Sequence, residues 1–227
     1  MKSICIAVVA LAFALVSCHT RQSKPQPAKQ ISPKPGTARK IKVLIQPLGG
    51  IRGSSINFLK ANITDWYVAG IEVLPLKPLP EAAWYAPRKR YKADTLLAFL
   101  KAFSTGEGAY VLGVTDKDIS TSNGANPDWG VMGLGYQPGQ CCIISDYRLN
   151  KYPQTEKQLT ERLLKVALHE LGHNFGLLHC PETTCIMTDA KGKDRLNREQ
   201  SFCPKCSAFL YSKGFLKPAK MVSNRSQ

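Results

Sequence analysis

The chain has 227 residues, 44% of them hydrophobic, which is enough for one domain with a good core plus appendages. Its formal net charge is +15; Lys2 carries one of these charges, residues 18–40 six and residues 217–227 three, so residues 41–216 keep only +5. The excess therefore lies in the chain ends and not on a folded face with interleaved aromatics, which argues against a nucleic-acid binder.

Residues 1–17 read as a secretory signal, a basic start at Lys2 followed by an apolar run too short for a confident membrane span. The sequence Leu15-Val16-Ser17-Cys18 has the form of a lipobox. In that reading Cys18 is diacylated and becomes the first residue of the mature chain, and the protein is an exported, membrane-anchored lipoprotein of a bacterial-type cell envelope. The alternative is an ordinary cleaved signal with an incidental cysteine. Residues 18–40 are basic, proline-rich and free of acids, a linker that at about 3 Å per residue holds a domain several tens of ångströms from the lipid. Residues 217–227 are expected to form a similar basic, disordered tail. Both segments add weak attraction to an anionic membrane surface.

Residues 41–216 form the expected domain. Stretches 41–46 (IKVLIQ), 68–76 (VAGIEVLPL) and 109–115 (AYVLGVT) predict buried strands, and 54–67 (SSINFLKANITDWY) and 93–103 (ADTLLAFLKAF) predict helices. Strands alternating with helices predict an α/β fold with a mostly parallel sheet. Residues 130–136 and 141–145, joined by a turn at Pro138-Gly139, are close enough for a hairpin, so one of them runs antiparallel at an edge. No internal repeat is present.

A further helix is expected after Pro153, with Thr155 as its cap and Gln158 three residues on. Leu164, Leu168, Leu171 and Phe175 then recur on one face, and at about 100° per residue His169 and His173 fall opposite them, with Glu170 and Val166 alongside. The full run, HELGHNFGLLH, holds three of the four histidines. H-E-x-x-H places two imidazoles one turn apart, close enough to share an ion. Gly176 can take the positive φ that ends the helix and turns the chain, which returns His179 as a third ligand. Three neutral imidazoles leave a zinc ion with an open position, where water is acidified and Glu170 can take its proton as it attacks a carbonyl.

Four cysteines follow in the order C-x4-C (Cys180, Cys185) and C-x2-C (Cys203, Cys206). In an exported chain these could form two disulfides or a closed four-cysteine zinc site. HELGHNFGLLH with Met187 after it resembles the metzincin metallopeptidases, and the cysteine pattern resembles one family of that clan, the archaemetzincins. YVLGVTDKDI, WGVMGLG and CIISDYRL resemble that family's strand segments, so the likeness spans about residues 41–210. The resemblance implies a metzincin-like mixed sheet with an active-site helix and a small zinc-bound C-terminal region. It further implies a catalytic zinc on His169, His173 and His179, Glu170 as general base, and Met187 as the Met-turn, an apolar floor beneath that zinc. Cys180, Cys185, Cys203 and Cys206 would bind a second, structural zinc. C-x2-C closes awkwardly as a disulfide within one turn but suits tetrahedral thiolate ligation, which agrees with this. An extended peptide substrate would lie along the edge strand near residues 130–136.

The function expected is a zinc metallopeptidase with two zinc ions, acting as a monomer on peptide or protein substrates. The rival is a zinc-stabilised peptide-binding lipoprotein with little turnover, and the presence of Glu170 favours the enzyme. Other groups have plainer roles. Asp116 and Asp118 fit a strand-end turn better than a calcium site. Cys141 and Cys142 fit the two sides of one strand better than a vicinal disulfide. Ser145 and Asp146 have no spare histidine for a hydrolase triad, and His19 is incidental beside the anchor.

Overall fold

The computed structural model describes residues 41–104, 106–151 and 155–220. Along the chain lie β1 (Ile41–Leu48), α1 (Gly53–Ile63), β2 (Ala69–Val73), β3 (Trp84–Tyr85), β4 (Arg90–Lys92), α2 (Ala93–Lys101), β5 (Ala109–Thr115), β6 (Ile119–Asn123), β7 (Asn126–Val131), β8 (Gly133–Gly135), β9 (Cys141–Ser145), α3 (Glu156–Asn174) and α4 (Pro204–Ser212). The main sheet runs β2-β1-β5-β9-β8; its first four strands are parallel, and β8 is antiparallel to β9 at the edge. The expected α/β fold, a mostly parallel sheet with an antiparallel edge strand, is the one adopted. The lipobox at Cys18, the linker over residues 18–40, Pro153 and residues 221–227 lie outside the described residues.

Successive strand residues face opposite ways, and each face has its own core. Val43, Ile45, Leu112, Val114, Cys142 and Ile144 pack with buried residues of α1 and α3. Leu44, Val111, Cys141 and Ile143 pack with Leu96, Leu97 and Leu100 of α2. Cys141 and Cys142 thus serve opposite cores as free thiols, as their adjacency on a strand required.

Several boundaries differ from expectation for local reasons. α1 stops at Ile63 because Trp66 and Tyr67 leave the helical path: Tyr67 is fully buried and its hydroxyl donates to the Leu168 carbonyl at 2.8 Å. Residues 130–136, expected as one strand, divide. β7 pairs with β6, while β8 alone borders the main sheet. β3, β4, β6 and β7 make a second, four-stranded sheet that periodicity did not announce, since stretches such as RYK and NPDWGV are short, charged or interrupted by proline. Asp118 anchors that region through ion pairs with Arg90 (3.1 Å) and Arg148 (2.8 Å), and Asp116 accepts from the Gly50 amide at 2.9 Å, so both are turn residues. The fold also continues past 216: the Lys217 amide donates to the Trp66 carbonyl at 2.8 Å and the Lys220 ammonium lies over the Trp66 ring. Among the described residues no helix is long and apolar enough to cross a membrane.

Candidate metal centre

α3 begins as the sequence required. The Thr155 hydroxyl accepts from the Gln158 amide and the Gln158 side chain accepts from the Thr155 amide, a complete capping box. Leu168, Leu171 and Phe175 are buried against the sheet. Phe175 makes edge contacts with Tyr67 and Tyr110 and stacks on Phe215 at 4.3 Å, which fixes the end of the helix from which the histidines project. The helix then closes with paired bonds, Gly176 amide to His173 carbonyl and Leu177 amide to Gly172 carbonyl, around Gly176 at φ 103°. A side chain there would be strained, and this reversal returns the chain to His179.

One ring nitrogen from each of His169, His173 and His179 lies within 4.8 Å of the others. The His169 Nδ1 meets the Ile186 carbonyl at 2.7 Å, and the His173 Nδ1 meets the Leu177 carbonyl at 2.8 Å. A carbonyl only accepts, so both Nδ1 atoms carry the hydrogen and both Nε2 atoms present lone pairs. Those two Nε2 atoms face each other at 3.0 Å. Two acceptors in that relation fit a shared cation, and burial disfavours protonation: it pushes His169 down to about 3, aided by neighbouring His173, and lowers His173 as well. His179 is exposed, with its Nδ1 4.0 Å from Asp189 Oδ2.

Glu170 lines the same cleft, a cavity of about 530 Å³. Its carboxylate lies against β8, where a Cβ on Gly133 would come within 2.6 Å of Oε1 and 2.7 Å of Cγ. Only glycine leaves that space. Burial raises the Glu170 carboxyl to about 8. Met187 is fully buried, its Sδ set against Gly172 of α3, where a Cβ would approach to 2.6 Å.

Cys180, Cys185, Cys203 and Cys206 form a second cluster, with their sulfurs within 4.8 Å of one another and Cys180 and Cys203 at 3.7 Å. That spacing excludes a disulfide between these two and matches the ~3.8 Å edge of a tetrahedron with ~2.3 Å zinc–sulfur bonds. All six described cysteines are free. The Cys185 sulfur accepts from the amides of Met187 (3.4 Å) and Cys203 (3.3 Å). The hydrogen bond from Cys206 and these amides bring the Cys185 thiol down to about 5 against the effect of burial, and Cys206, as the donor, is raised. The donors suit thiolates and a dication. Cys203 and Cys206 come from the start of α4, where Pro204 occupies the first turn.

Every described residue nominated from the sequence for the two metal sets falls into one of these clusters. Ser145 and Asp146 do not join them: the Ser145 hydroxyl donates to the Lys117 carbonyl, and Asp146 pairs with Arg52 at 3.5 Å. Three contributors were missed. Gly133 makes room for Glu170, Asp189 neighbours His179, and Gln137 donates to the same Leu177 carbonyl that orients His173. The glycine spacing in WGVMGLG was the one available trace of the first.

Residues 80–212 match peptidase family M54. The chain is similar to an archaemetzincin of Pyrococcus furiosus, 36% identical over 157 residues, covering 64% of this chain and 79% of that protein. A Methanopyrus kandleri archaemetzincin is 38% identical over 133 residues, covering 58% and 72%. Among solved structures, the crystal structure of the Archaeoglobus fulgidus archaemetzincin complexed with malonate superposes with a TM-score of 0.64 at 29% identity, covering 74% of this chain and 99% of that one.

Proposed function

The chain belongs to peptidase family M54, the archaemetzincins, and is a zinc metallopeptidase; from that premise we propose that His169, His173 and His179 hold the catalytic zinc and that Glu170 is the general base. The observation that carries this reading is the convergence of two Nδ1-protonated, neutral imidazoles and a third histidine beside a buried carboxylate in one cleft. Zinc supplies Lewis acidity at such a site, polarising a carbonyl and acidifying water. Glu170 accepts the proton of the attacking water and passes it to the departing amine. Its place in the cleft beside the histidines suits a group that must take a proton and pass it on.

Three further elements belong to this reading. Cys180, Cys185, Cys203 and Cys206 hold a second zinc that is structural, because four thiolates leave no open position. The free edge of β8 receives an extended peptide by main-chain pairing. Both ligand sets come complete from one chain, so neither site needs a partner subunit. The sequence at Leu15–Cys18 supports export and lipidation at Cys18, with the basic, proline-rich residues 18–40 between the lipid and this domain. The test is digestion of a peptide library by the zinc-loaded protein, with and without 1,10-phenanthroline. Cleavage abolished by the chelator and restored by zinc is expected. No cleavage under any zinc condition sinks the reading.

A further inference from the structure

One end of the cleft lies a helical turn from the histidine pair. Val166 precedes His169 by three residues on α3, about 4.5 Å along the axis, and both line the cleft together with Leu196 and Glu199. Val166, Leu196 and Glu199 are each only 4% exposed, so this end of the cleft is floored by core residues, Val166 and Leu196, with a buried acid beside them.

The nearby cations, Lys165 and Arg162, are hydrogen-bonded to other oxygens and not to the Glu199 carboxylate. The Lys165 ammonium donates to the main-chain carbonyls of Leu196 and Glu199, both at 2.6 Å. Arg162 is held by Asn197 Oδ1 at 2.8 Å and by Asp194. No described side chain hydrogen-bonds to the Glu199 carboxylate, and burial holds its carboxyl up to about 7 despite the lowering influence of Lys165. A buried carboxylate in that state gains from any cation that reaches it through the cleft.

We infer that Glu199 selects a lysine or arginine side chain on the substrate residue adjoining the scissile bond, an assignment that rests on the peptidase reading above. The bond to be cut lies at the histidine cluster and Glu170. An extended chain advances ~3.3 Å per residue, so the neighbouring residue presents its side chain within reach of the Val166 turn. Val166 and Leu196 cover the methylene stem, and the cationic head meets Glu199.

The experiment has two arms. In the first, mass spectrometry locates cuts made by zinc-loaded wild type in a peptide library of even composition. Lysine and arginine are expected at one flanking position with about tenfold enrichment, and Glu199→Gln, verified for melting temperature and zinc content, brings that enrichment to background. In the second, which needs no turnover and no Glu199 variant, paired peptides bearing lysine or norleucine at that position are bound to Glu170→Gln protein. About tenfold tighter binding of the lysyl peptide is expected by fluorescence anisotropy. Where wild type cleaves without lysine or arginine preference, or the two peptides bind equally, the Glu199 assignment is overturned. Absence of any cleavage by wild type overturns the peptidase reading instead, and lysyl and norleucyl peptides that bind equally at every scanned position then overturn the Glu199 assignment as well.

Discussion

His179 and Cys180 are neighbours in the chain, yet one belongs to the histidine cluster and the other to the cysteine cluster. A second link runs parallel to it: Ile186, whose carbonyl orients His169, lies between Cys185 and Met187, and the Cys180 amide donates to the Met187 carbonyl at 2.8 Å. The cysteine cluster is therefore part of what aims the histidines. Cys203→Ser is expected to lose the structural ion, to lower the yield of folded protein, and to weaken zinc binding at the histidines as well. Metal content per chain, measured after dialysis against graded zinc buffers, checks this. Two ions in wild type and full retention of the histidine-bound ion in Cys203→Ser would disconnect the clusters.

Glu170→Gln keeps the size and shape of the side chain but removes its capacity to take a proton. The expected outcome is near-normal zinc content with peptidase rate lower by a factor on the order of a hundred or more. His179→Ala is expected to lose catalytic zinc and activity together. Parallel measurement of zinc content and initial rate on a verified peptide separates proton transfer from metal retention. A Glu170→Gln rate equal to wild type rejects the general-base role.

The same residue predicts a pH dependence for the metal-free protein. Burial raises the folded-state Glu170 carboxyl to about 8, against ~4.3 in an unfolded chain. Between those values the folded state holds the proton that the unfolded state has released. Rising pH therefore favours unfolding across this window, and the cost is complete only above about 8. Glutamine at 170 carries no such cost. In thermal unfolding of metal-free protein, Glu170→Gln is expected to melt close to wild type near pH 5 and higher by about 3 °C or more near pH 8.5. Zinc narrows the gap, since a dication favours the carboxylate. A gap independent of pH contradicts the buried, raised carboxyl.

Much of this site was legible because its chemistry is local in sequence. The histidines, Glu170 and the helix end at Gly176 fall within one periodic run, and the four cysteines follow at zinc-type spacings. Strands β1, β5 and β9 were legible for a related reason: each is buried on both faces and reads as an apolar run. What escaped was non-local. Beyond the glycine spacing in WGVMGLG, nothing near Gly133 in the chain shows that Glu170, 37 residues later, will occupy the space a side chain would need. Glu199 reads as an ordinary surface acid in NREQ until the loop folds it against α3. The second sheet escaped because its strands are short, and ion pairs such as Arg90 of β4 with Asp128 of β7 at 3.1 Å, which reaches across β6, are not registered by periodicity.

Gly133→Ala tests the closest of those non-local contacts. Its Cβ would stand 2.6–2.9 Å from three atoms of the Glu170 side chain, so the carboxylate must move while the histidines keep their own carbonyl partners. Zinc content near wild type is expected, with kcat/KM lower by about tenfold or more, because a shift of the order of 1 Å at the reacting centre is costly. Metal analysis alongside steady-state kinetics checks it. Equal kcat/KM in the two proteins means that Glu170 does not need its place against β8.

The last prediction concerns the tether. Leu15-Val16-Ser17-Cys18 closes the apolar run that we read as a signal, and residues 18–40 have the acid-free, basic composition expected between a lipid and a folded domain. One acyl chain binds a membrane only marginally, whereas diacylation, helped by six linker cations on an anionic surface, anchors stably. Full-length protein expressed with its own leader is therefore expected to partition into the detergent phase and to label with a fatty-acid analogue, and Cys18→Ala should abolish both. Residues 41–220 contain both metal clusters, so Cys18→Ala is expected to keep its zinc content and melting temperature. A wild-type protein that stays in the aqueous phase without label removes the anchor and leaves the cysteine incidental; a Cys18→Ala protein that still labels moves the lipid to another residue.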